Sequence, residues 1–181
     1  NLLLKKTGID LKSNKLDNRN PFDYARHFKK YDKLKILLSF CKKYKIGNLF
    51  TEDNIQNLDF IKVIIETRDI KDISPNGTSL FHHAIYRNNL DMIKLLISNI
   101  QENIKNEINE LYPNIKEDKI NELISKQLKN EINVFNELIE YALFVRSQYL
   151  KENKTSELTN NLDIIKELLN AGAKIDKENL D

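Results

Sequence analysis

Two adjacent histidines, His82 and His83, are the first residues of this chain whose types suggest chemistry. Neighbouring positions on a helix point about 100° apart, so the two rings are poorly placed to bind one metal ion. No H-E-x-x-H motif and no cysteine pair accompanies them. Ser79, His82 and Asp91 include the residue types of a hydrolytic triad, but no nucleophile-elbow motif surrounds the serine. We therefore predict neither a metal site nor a catalytic site here.

Other residue patterns that support catalysis are scarce. The four glycines, Gly8, Gly47, Gly77 and Gly172, match neither common type of phosphate-binding loop. Cys41 is the one cysteine, so it forms no intrachain disulfide, and we predict it to be a small apolar residue near a helix end. Carboxylates alternate with lysines as on solvated helix faces. The sequence predicts a protein that is not an enzyme and needs no cofactor.

Length and composition are those of a folded protein. The chain has 181 residues, of which 31% are charged and 40% hydrophobic, which disfavours intrinsic disorder. This length suits one ordinary domain or about five repeats of roughly 33 residues. No apolar run approaches the length of a membrane span, and no signal-peptide pattern is visible. We expect a soluble protein, either intracellular or a secreted effector, and the sequence leaves this choice open.

The segment from Gly77 to Ile97, GTSLFHHAIYRNNLDMIKLLI, has the features of two helices joined by a short turn. Ser79 is a good N-cap, and Gly77 lets the chain turn sharply into the first helix. Asn88 and Asn89 fall between the apolar runs, where asparagine tolerates a left-handed backbone. One helix pair of this kind cannot bury its apolar face alone, so neighbouring pairs are required.

This segment resembles the ankyrin repeat, whose helical part reads about G-x-T-P-L-H-x-A, followed by a turn and L-x-x-V-x-x-L-L. The matched positions are Gly77, Ser79, Leu80, Phe81, His82 and Ala84. The resemblance implies an all-α fold, an ankyrin-repeat solenoid of helix-turn-helix units, with a long helical insertion. It also implies that His82 is a structural hydrogen-bonding residue. The implied function is protein-protein interaction, as a non-catalytic scaffold or effector module.

Further segments fit the same pattern with different degrees of agreement. We predict the end of a partial repeat at residues 1–13, a repeat at 16–46, a degenerate repeat at 47–72 and the clearest repeat at 74–100. In the second of these, Pro21 takes the first helical position, where its missing amide costs nothing. Because no polar capping repeat is visible at either end, we expect either an exposed apolar terminus or continuation into a longer array.

The region after residue 100 loses the repeat register. We predict a helical insertion at residues 101–133, with its first helix ending near Pro113, and a last repeat at 134–181. A pair of cryptic repeats is the competing interpretation. The last repeat is expected to have an elongated first helix. Its second helix is expected to pack inward through Leu162, Ile165, Leu168 and Leu169 and to end at Gly172.

The resemblance also implies where a partner binds. In ankyrin proteins partners usually lie on the loop tips and on the exposed, concave side of the first helices. The corresponding partner-binding residues are Leu16, Asp17, Arg19, His27, Phe28, Pro75, Asn76, Thr78, Tyr86 and Arg87. Tyrosine, phenylalanine and arginine at such positions are the types that dominate interface energies. The same aromatic rings would serve equally well in packing against an adjacent repeat.

Charge is unevenly distributed along the chain and supports an alternative function. The net charge of +2 is divided into +9 for residues 1–50 and −7 for residues 51–181. The basic segment 26–45 is an alternative binding site for an anionic polymer, such as a nucleic acid, or for an anionic lipid membrane surface. Lysine-rich solvated helix faces are the commoner reason for such a charge pattern.

Overall fold

The computed structural model describes residues 21–40, 57–67, 79–128 and 132–175 of the chain. Every regular element within these ranges is an α-helix, which confirms the predicted all-α fold class. The chain is divided into two compact units, Asn1–Gly77 and Thr78–Asp181, and each is described by itself.

The first unit contains helices α1 (Pro21–His27), α2 (Tyr31–Phe40) and α3 (Leu58–Thr67). Helix α2 packs against both α1 and α3. The apolar residues Phe22, Leu34 and Leu38 are fully buried, and burial of such side chains contributes about 1.5–3 kcal/mol each. Helix α1 begins at Pro21 as predicted, because the first turn of a helix leaves its amides without intrahelical partners.

The described part of the second unit contains five helices: α4 (Leu80–Tyr86), α5 (Leu90–Leu111), α6 (Glu117–Leu128), α7 (Ile132–Lys151) and α8 (Thr155–Asn170). Helix α4 packs against α5, and α7 packs against α8. The two pairs lie side by side, with α4 against α7 and α5 against α8. Phe81 of α4 meets Phe135 of α7 edge to face, with ring centroids 6.0 Å apart, in the core between the first helices.

The same turn joins the helices of three pairs. Lys29 between α1 and α2, Asn88 between α4 and α5, and Asn153 between α7 and α8 have φ angles of 52°, 54° and 55°. Each turn residue donates its amide to the carbonyl three positions earlier. The residue after it donates to the carbonyl five positions earlier, at distances of 2.7–3.0 Å. The predicted left-handed turn at Asn88 is therefore present, and it recurs where the sequence did not predict it.

Helix α5 is far longer than the second helix of an ordinary repeat. It continues past residue 100, where the sequence predicted the end of a repeat, and reaches Leu111 before Pro113. Its extension packs against α6 through the buried residues Ile104, Ile108 and Ile120. An exposed ion pair between Lys105 and Glu117, with a 2.7 Å N–O distance, also joins the two helices. The extension and α6 together form a helical hairpin.

Helix α8 differs from its predicted register. It begins at Thr155, seven residues before Leu162, the first residue that the sequence predicted to pack inward. The buried residues are Asn161, Ile164, Ile165 and Leu168. The prediction that Leu162 and Leu169 pack inward is wrong, because both side chains are more than one third exposed. The helix does end as predicted, since Gly172 follows it with φ 109°.

No helix in the described part of the chain is both long and apolar enough to cross a membrane.

The turn at Asn88 gives a testable prediction for stability. Its side-chain Nδ2 donates to the Glu157 carbonyl at 3.0 Å, and its own carbonyl accepts a bond from Asn160. Asn88→Ala is expected to lower the free energy of unfolding by about 1–2 kcal/mol, because alanine is strained at positive φ and cannot form the side-chain bond. Asn88→Gly should cost less, since glycine keeps the backbone conformation. Urea denaturation measures both losses.

Asn121→Ala on the exposed face of α6 is the matched control, and it should leave stability nearly unchanged. Equal losses for Asn88→Ala and Asn88→Gly would contradict the role given to the left-handed turn.

Candidate functional site

The first helix of the 74–100 segment begins with a compact hydrogen-bonded cap. The Ser79 side chain accepts a bond from the backbone amide of His82, and its Oγ lies 2.7 Å from Nδ1 of the same histidine. The cap role predicted for Ser79 is confirmed, because it satisfies an amide that the first turn leaves free. The His82 ring is therefore held at the start of α4 as a structural group.

Both histidines of α4 are partly buried, and burial is the main reason that their pKa values are lowered. For His82 the desolvation of the charged ring outweighs the attraction of Glu137, so its pKa falls below the ordinary 6.5. The pKa of His83 is lowered by burial first, then by the charges of Arg87 and His82. Nε2 of His83 is buried without a hydrogen-bond partner among the described residues. The folded chain therefore favours the neutral form of both imidazole rings.

An exposed aromatic surface extends from α4 onto α7. The His82 ring lies 5.0 Å from the ring of Tyr141, which stacks on Phe144 at 6.4 Å. Tyr86 is 60% exposed and Phe144 is 59% exposed, so these rings remain open to a partner. We name His82, Tyr86, Tyr141 and Phe144 the aromatic strip. Tyr86 and Phe144 point away from the buried faces of their helices, and the half-buried rings of His82 and Tyr141 lie beside them.

The aromatic strip is supported at one end by Tyr149 and Arg87. The hydroxyl of Tyr149 donates to the carbonyl of Tyr86 at 3.4 Å, which ties the end of α7 to the end of α4. The guanidinium of Arg87 lies 5.6 Å from the centre of the Tyr86 ring, a favourable cation-π distance. The ammonium of Lys154 lies 5.9 Å from the Tyr149 ring. A positively charged side chain therefore lies beside each of the rings of Tyr86 and Tyr149.

Tyr141 and Tyr149 stay neutral and act as hydrogen-bonding aromatic groups. Partial burial raises the pKa of Tyr141, and the nearby Tyr86 raises it further. Burial is also the largest cause of the raised pKa of Tyr149. A phenol that remains protonated is a poor general base at neutral pH. The surface offers apolar area and hydroxyl groups, which suit binding better than proton transfer.

The structure describes four of the ten predicted partner-binding residues. Tyr86 and Arg87 lie together at the end of α4 in the second unit. His27 and Phe28 lie at the end of α1 in the first unit, where their rings meet edge to face at 5.0 Å. Phe28 also contacts Tyr24 at 4.5 Å. The other six, Leu16, Asp17, Arg19, Pro75, Asn76 and Thr78, lie outside the described residues.

Sequence reasoning did not predict that Tyr141 and Phe144 belong with Tyr86. Both aromatic residues fall between the buried positions of α7, such as Leu138, Ala142 and Val145. Their positions interrupt the apolar periodicity of the helix, and this interruption could have predicted their exposure, because a side chain away from the buried face of a helix is exposed to solvent. Their distance of more than fifty residues from Tyr86 hides the contact from any local pattern.

Within the described residues, no group of three or more histidine, cysteine, aspartate or glutamate side chains is placed to hold a metal ion.

Helix pairs joined by one recurrent turn define the second unit as an all-helical structure built from helix-turn-helix pairs. The family model described as the ankyrin repeat matches residues 76–107, which include α4 and most of α5. This match confirms that the chain carries an ankyrin repeat, as its sequence predicted. The ankyrin repeat is typical of protein-protein interaction modules. No curated protein and no solved structure matches the chain.

The two partly buried histidines of α4 predict a pH dependence of stability. Because their pKa values are lower in the fold than the ordinary 6.5, the unfolded chain takes up protons first as pH falls. The stability that depends on neutral His82 and His83 is thus complete above pH 6.5 and is lost progressively below it. The double variant His82→Gln, His83→Gln should be less stable at neutral pH but lose less stability on acidification.

Urea denaturation at a series of pH values measures this slope. His27→Gln, at an exposed position in the first unit, is the matched control and should keep the slope of the unchanged chain. If the double variant loses as much stability on acidification as the unchanged chain does, carboxylates rather than these histidines cause the effect.

Proposed function

We propose that the chain is a non-catalytic scaffold or effector module that binds a protein partner on the exposed side of its first helices and the adjoining loop tips. The ankyrin repeat at residues 76–107 supports the class of function. The aromatic strip is the observation that supports this location in the second unit, because the rings of Tyr86 and Phe144 are mostly exposed although they lie beside a well-packed core. Large rings on a rigid helical surface bury much area at little entropic cost on binding.

Tyr86 and Arg87 are proposed as the principal contacts of this surface. The tyrosine supplies an exposed ring and hydroxyl, and the guanidinium lies against that ring rather than in the core. Tyrosine and arginine are enriched among the residues whose truncation costs the most binding energy. Tyr141 and Phe144 extend the same contact area onto α7. The partner-binding roles of His27 and Phe28 in the first unit are proposed on the same reasoning.

The test uses a partner fragment selected by display of a protein-fragment library on the immobilised full chain. The double variant Tyr86→Ala, Arg87→Ala is expected to weaken the affinity for that fragment about tenfold or more, because two anchor side chains are removed. Its melting temperature should stay nearly unchanged, since Tyr86 is mostly exposed. Calorimetric titration and thermal denaturation give the two readouts.

Tyr112→Ala is the matched control, because Tyr112 is 55% exposed and follows α5 near the end of the helical hairpin. It should leave the affinity unchanged. Loss of folding in the double variant would assign both residues to the core. Equal affinity of the double variant and the unchanged chain would place the binding surface elsewhere.

A second candidate function is the binding of an anionic polymer by the basic segment 26–45. Lys29, Lys30 and Lys33 are exposed and form no ion pair with the described residues, whereas Lys35 pairs with Glu66 at 2.7 Å. The exposed rings of Tyr24 and Phe28 lie beside these lysines along the chain. Unpaired cations beside aromatic rings are what single-stranded nucleic acids bind.

Retention on heparin tests this second candidate. The chain should elute at a salt concentration that Lys30→Gln, Lys33→Gln lowers, because each phosphate or sulfate contact releases counterions. Lys126→Gln on α6 of the second unit is the control, and it should elute with the unchanged chain. An unchanged chain that fails to bind heparin at low salt would exclude this candidate.

A further inference from the structure

The rings of the aromatic strip lie where α4 and α7 run side by side in the same direction. Contacts between the two helices advance together along both, from Phe81 with Phe135, through His82 with Tyr141, to the Tyr86 carbonyl with the Tyr149 hydroxyl. The helices are therefore parallel. Tyr86 follows His82 by about one helical turn, and Phe144 follows Tyr141 by about one turn. The exposed rings thus extend lengthwise along both helices.

One narrow side of α7 continues the strip at both ends. Glu137, Tyr141, Phe144 and Gln148 lie within about 60° of one another in helical angle, and each side chain is partly or mostly exposed. From Glu137 to Tyr149 the helix rises about 18 Å. An extended segment that rises about 3.1 Å per residue covers this distance with about six residues. The strip therefore has the length to bind a short segment of a partner chain.

The polar groups beside the exposed rings can all donate hydrogen bonds. The hydroxyls of Tyr86 and Tyr141 form no hydrogen bond with other described residues, and each has a hydrogen to donate. The guanidinium of Arg87, beside the Tyr86 ring, has N–H donors and no acceptor. The backbone groups of α4 and α7 are bonded within the helices, so neither helix offers a strand edge for pairing. A matching ligand presents carbonyl groups that lack a partner.

The regular peptide conformations differ in the backbone groups that they present to such a surface. An α-helix has already bonded its carbonyls internally, and a β-strand needs both the donors and the acceptors of a sheet edge. A polyproline II helix has no internal hydrogen bonds, and its prolines have carbonyls but no N–H groups. Proline-rich segments of this conformation also bind aromatic surfaces at low entropic cost, because they are already ordered. The polyproline II helix therefore fits the strip best.

Charges at the two ends of the strip indicate which residue flanks the prolines. The exposed carboxylate of Glu137 lies close enough to attract the charged form of His82, and it forms no ion pair with the described residues. Arg87 lies at the opposite end, beside Tyr86. A basic side chain of the ligand would be attracted to the first end and repelled from the second. Building on the protein-binding function above, we propose that the aromatic strip binds a proline-rich segment in the polyproline II conformation, with a basic residue beside Glu137.

Calorimetric titration of the full chain with a synthetic peptide tests this proposal. The peptide has six prolines, which match the length of the strip, and an arginine at one end. A second peptide has alanines in place of the prolines and should bind about tenfold more weakly or less. The reason is that the alanine chain must be ordered on binding, and that the strip offers few acceptors for its amides.

Tyr86→Phe tests the hydroxyl without removing the ring. It should weaken binding of the proline peptide about fivefold, because one hydrogen bond to a ligand carbonyl is lost. Tyr112→Phe is the matched control, since it makes the same chemical change on an exposed tyrosine of the helical hairpin, and it should bind as tightly as the unchanged chain. Both substitutions are at exposed rings, and thermal denaturation checks that the variants are folded.

Glu137→Gln tests the end of the strip that the basic residue occupies. The unchanged chain should prefer the peptide with arginine over the same peptide with glutamate in its place, and Glu137→Gln should remove most of this preference. Asn121→Ala, on the exposed face of α6, should keep it. An arginine preference that Glu137→Gln leaves intact would contradict the placement of the basic residue.

The outcomes separate this proposal from the protein-binding function on which it rests. If the fragment selected by display binds through Tyr86 but the proline peptide does not bind, the protein-binding function stands and the polyproline proposal is wrong. Equal binding of the proline and alanine peptides, or equal affinities of Tyr86→Phe and Tyr112→Phe for the proline peptide, would also overturn it. If neither the fragment nor the proline peptide depends on Tyr86, both proposals are wrong.

Discussion

The fold depends on one backbone conformation that recurs at Lys29, Asn88 and Asn153, in three of the described helix pairs. A single residue at positive φ ends the helix, and its amide and the next one bond back to the preceding carbonyls. Two of the first helices have only seven residues, too few to be stable in isolation. The turn holds such a helix against its longer neighbour, where buried side chains stabilise it. Without this reversal of the chain direction, the two helices of a pair would not pack against each other.

A fixed turn also fixes which side chains face the neighbouring pair. Because each second helix begins two residues after the left-handed residue, equivalent positions point in equivalent directions in every pair. Ile85 is buried because α7 packs against its side of α4. The same geometry places Tyr141 beside His82 and leaves the outer side of these two rings exposed to solvent. Packing between pairs thus creates both the core and the surface available for binding.

Much of the fold could be predicted where the signal was local. The cap at Ser79, the start of α1 at Pro21 and the helix end before Gly172 each depend on a few neighbouring residues. The start of α8 was missed, because Lys154 precedes it without a side-chain cap bond. Asn153 in the turn was the signal that could have located it. Apolar spacing alone predicted Leu162 as the first inward-facing residue, although the helix begins seven residues earlier.

The sequence by itself determined the helical class, the ankyrin repeat at residues 76–107 and several helix ends, because caps, turns and apolar periodicity act within a few residues. Only the tertiary structure decided which exposed rings form one surface. The approach of Tyr141 to His82 requires helices from distant parts of the chain to pack together. Tertiary packing likewise decided that Leu162 remains partly exposed, since exposure depends on which helix lies alongside and not on the residue itself.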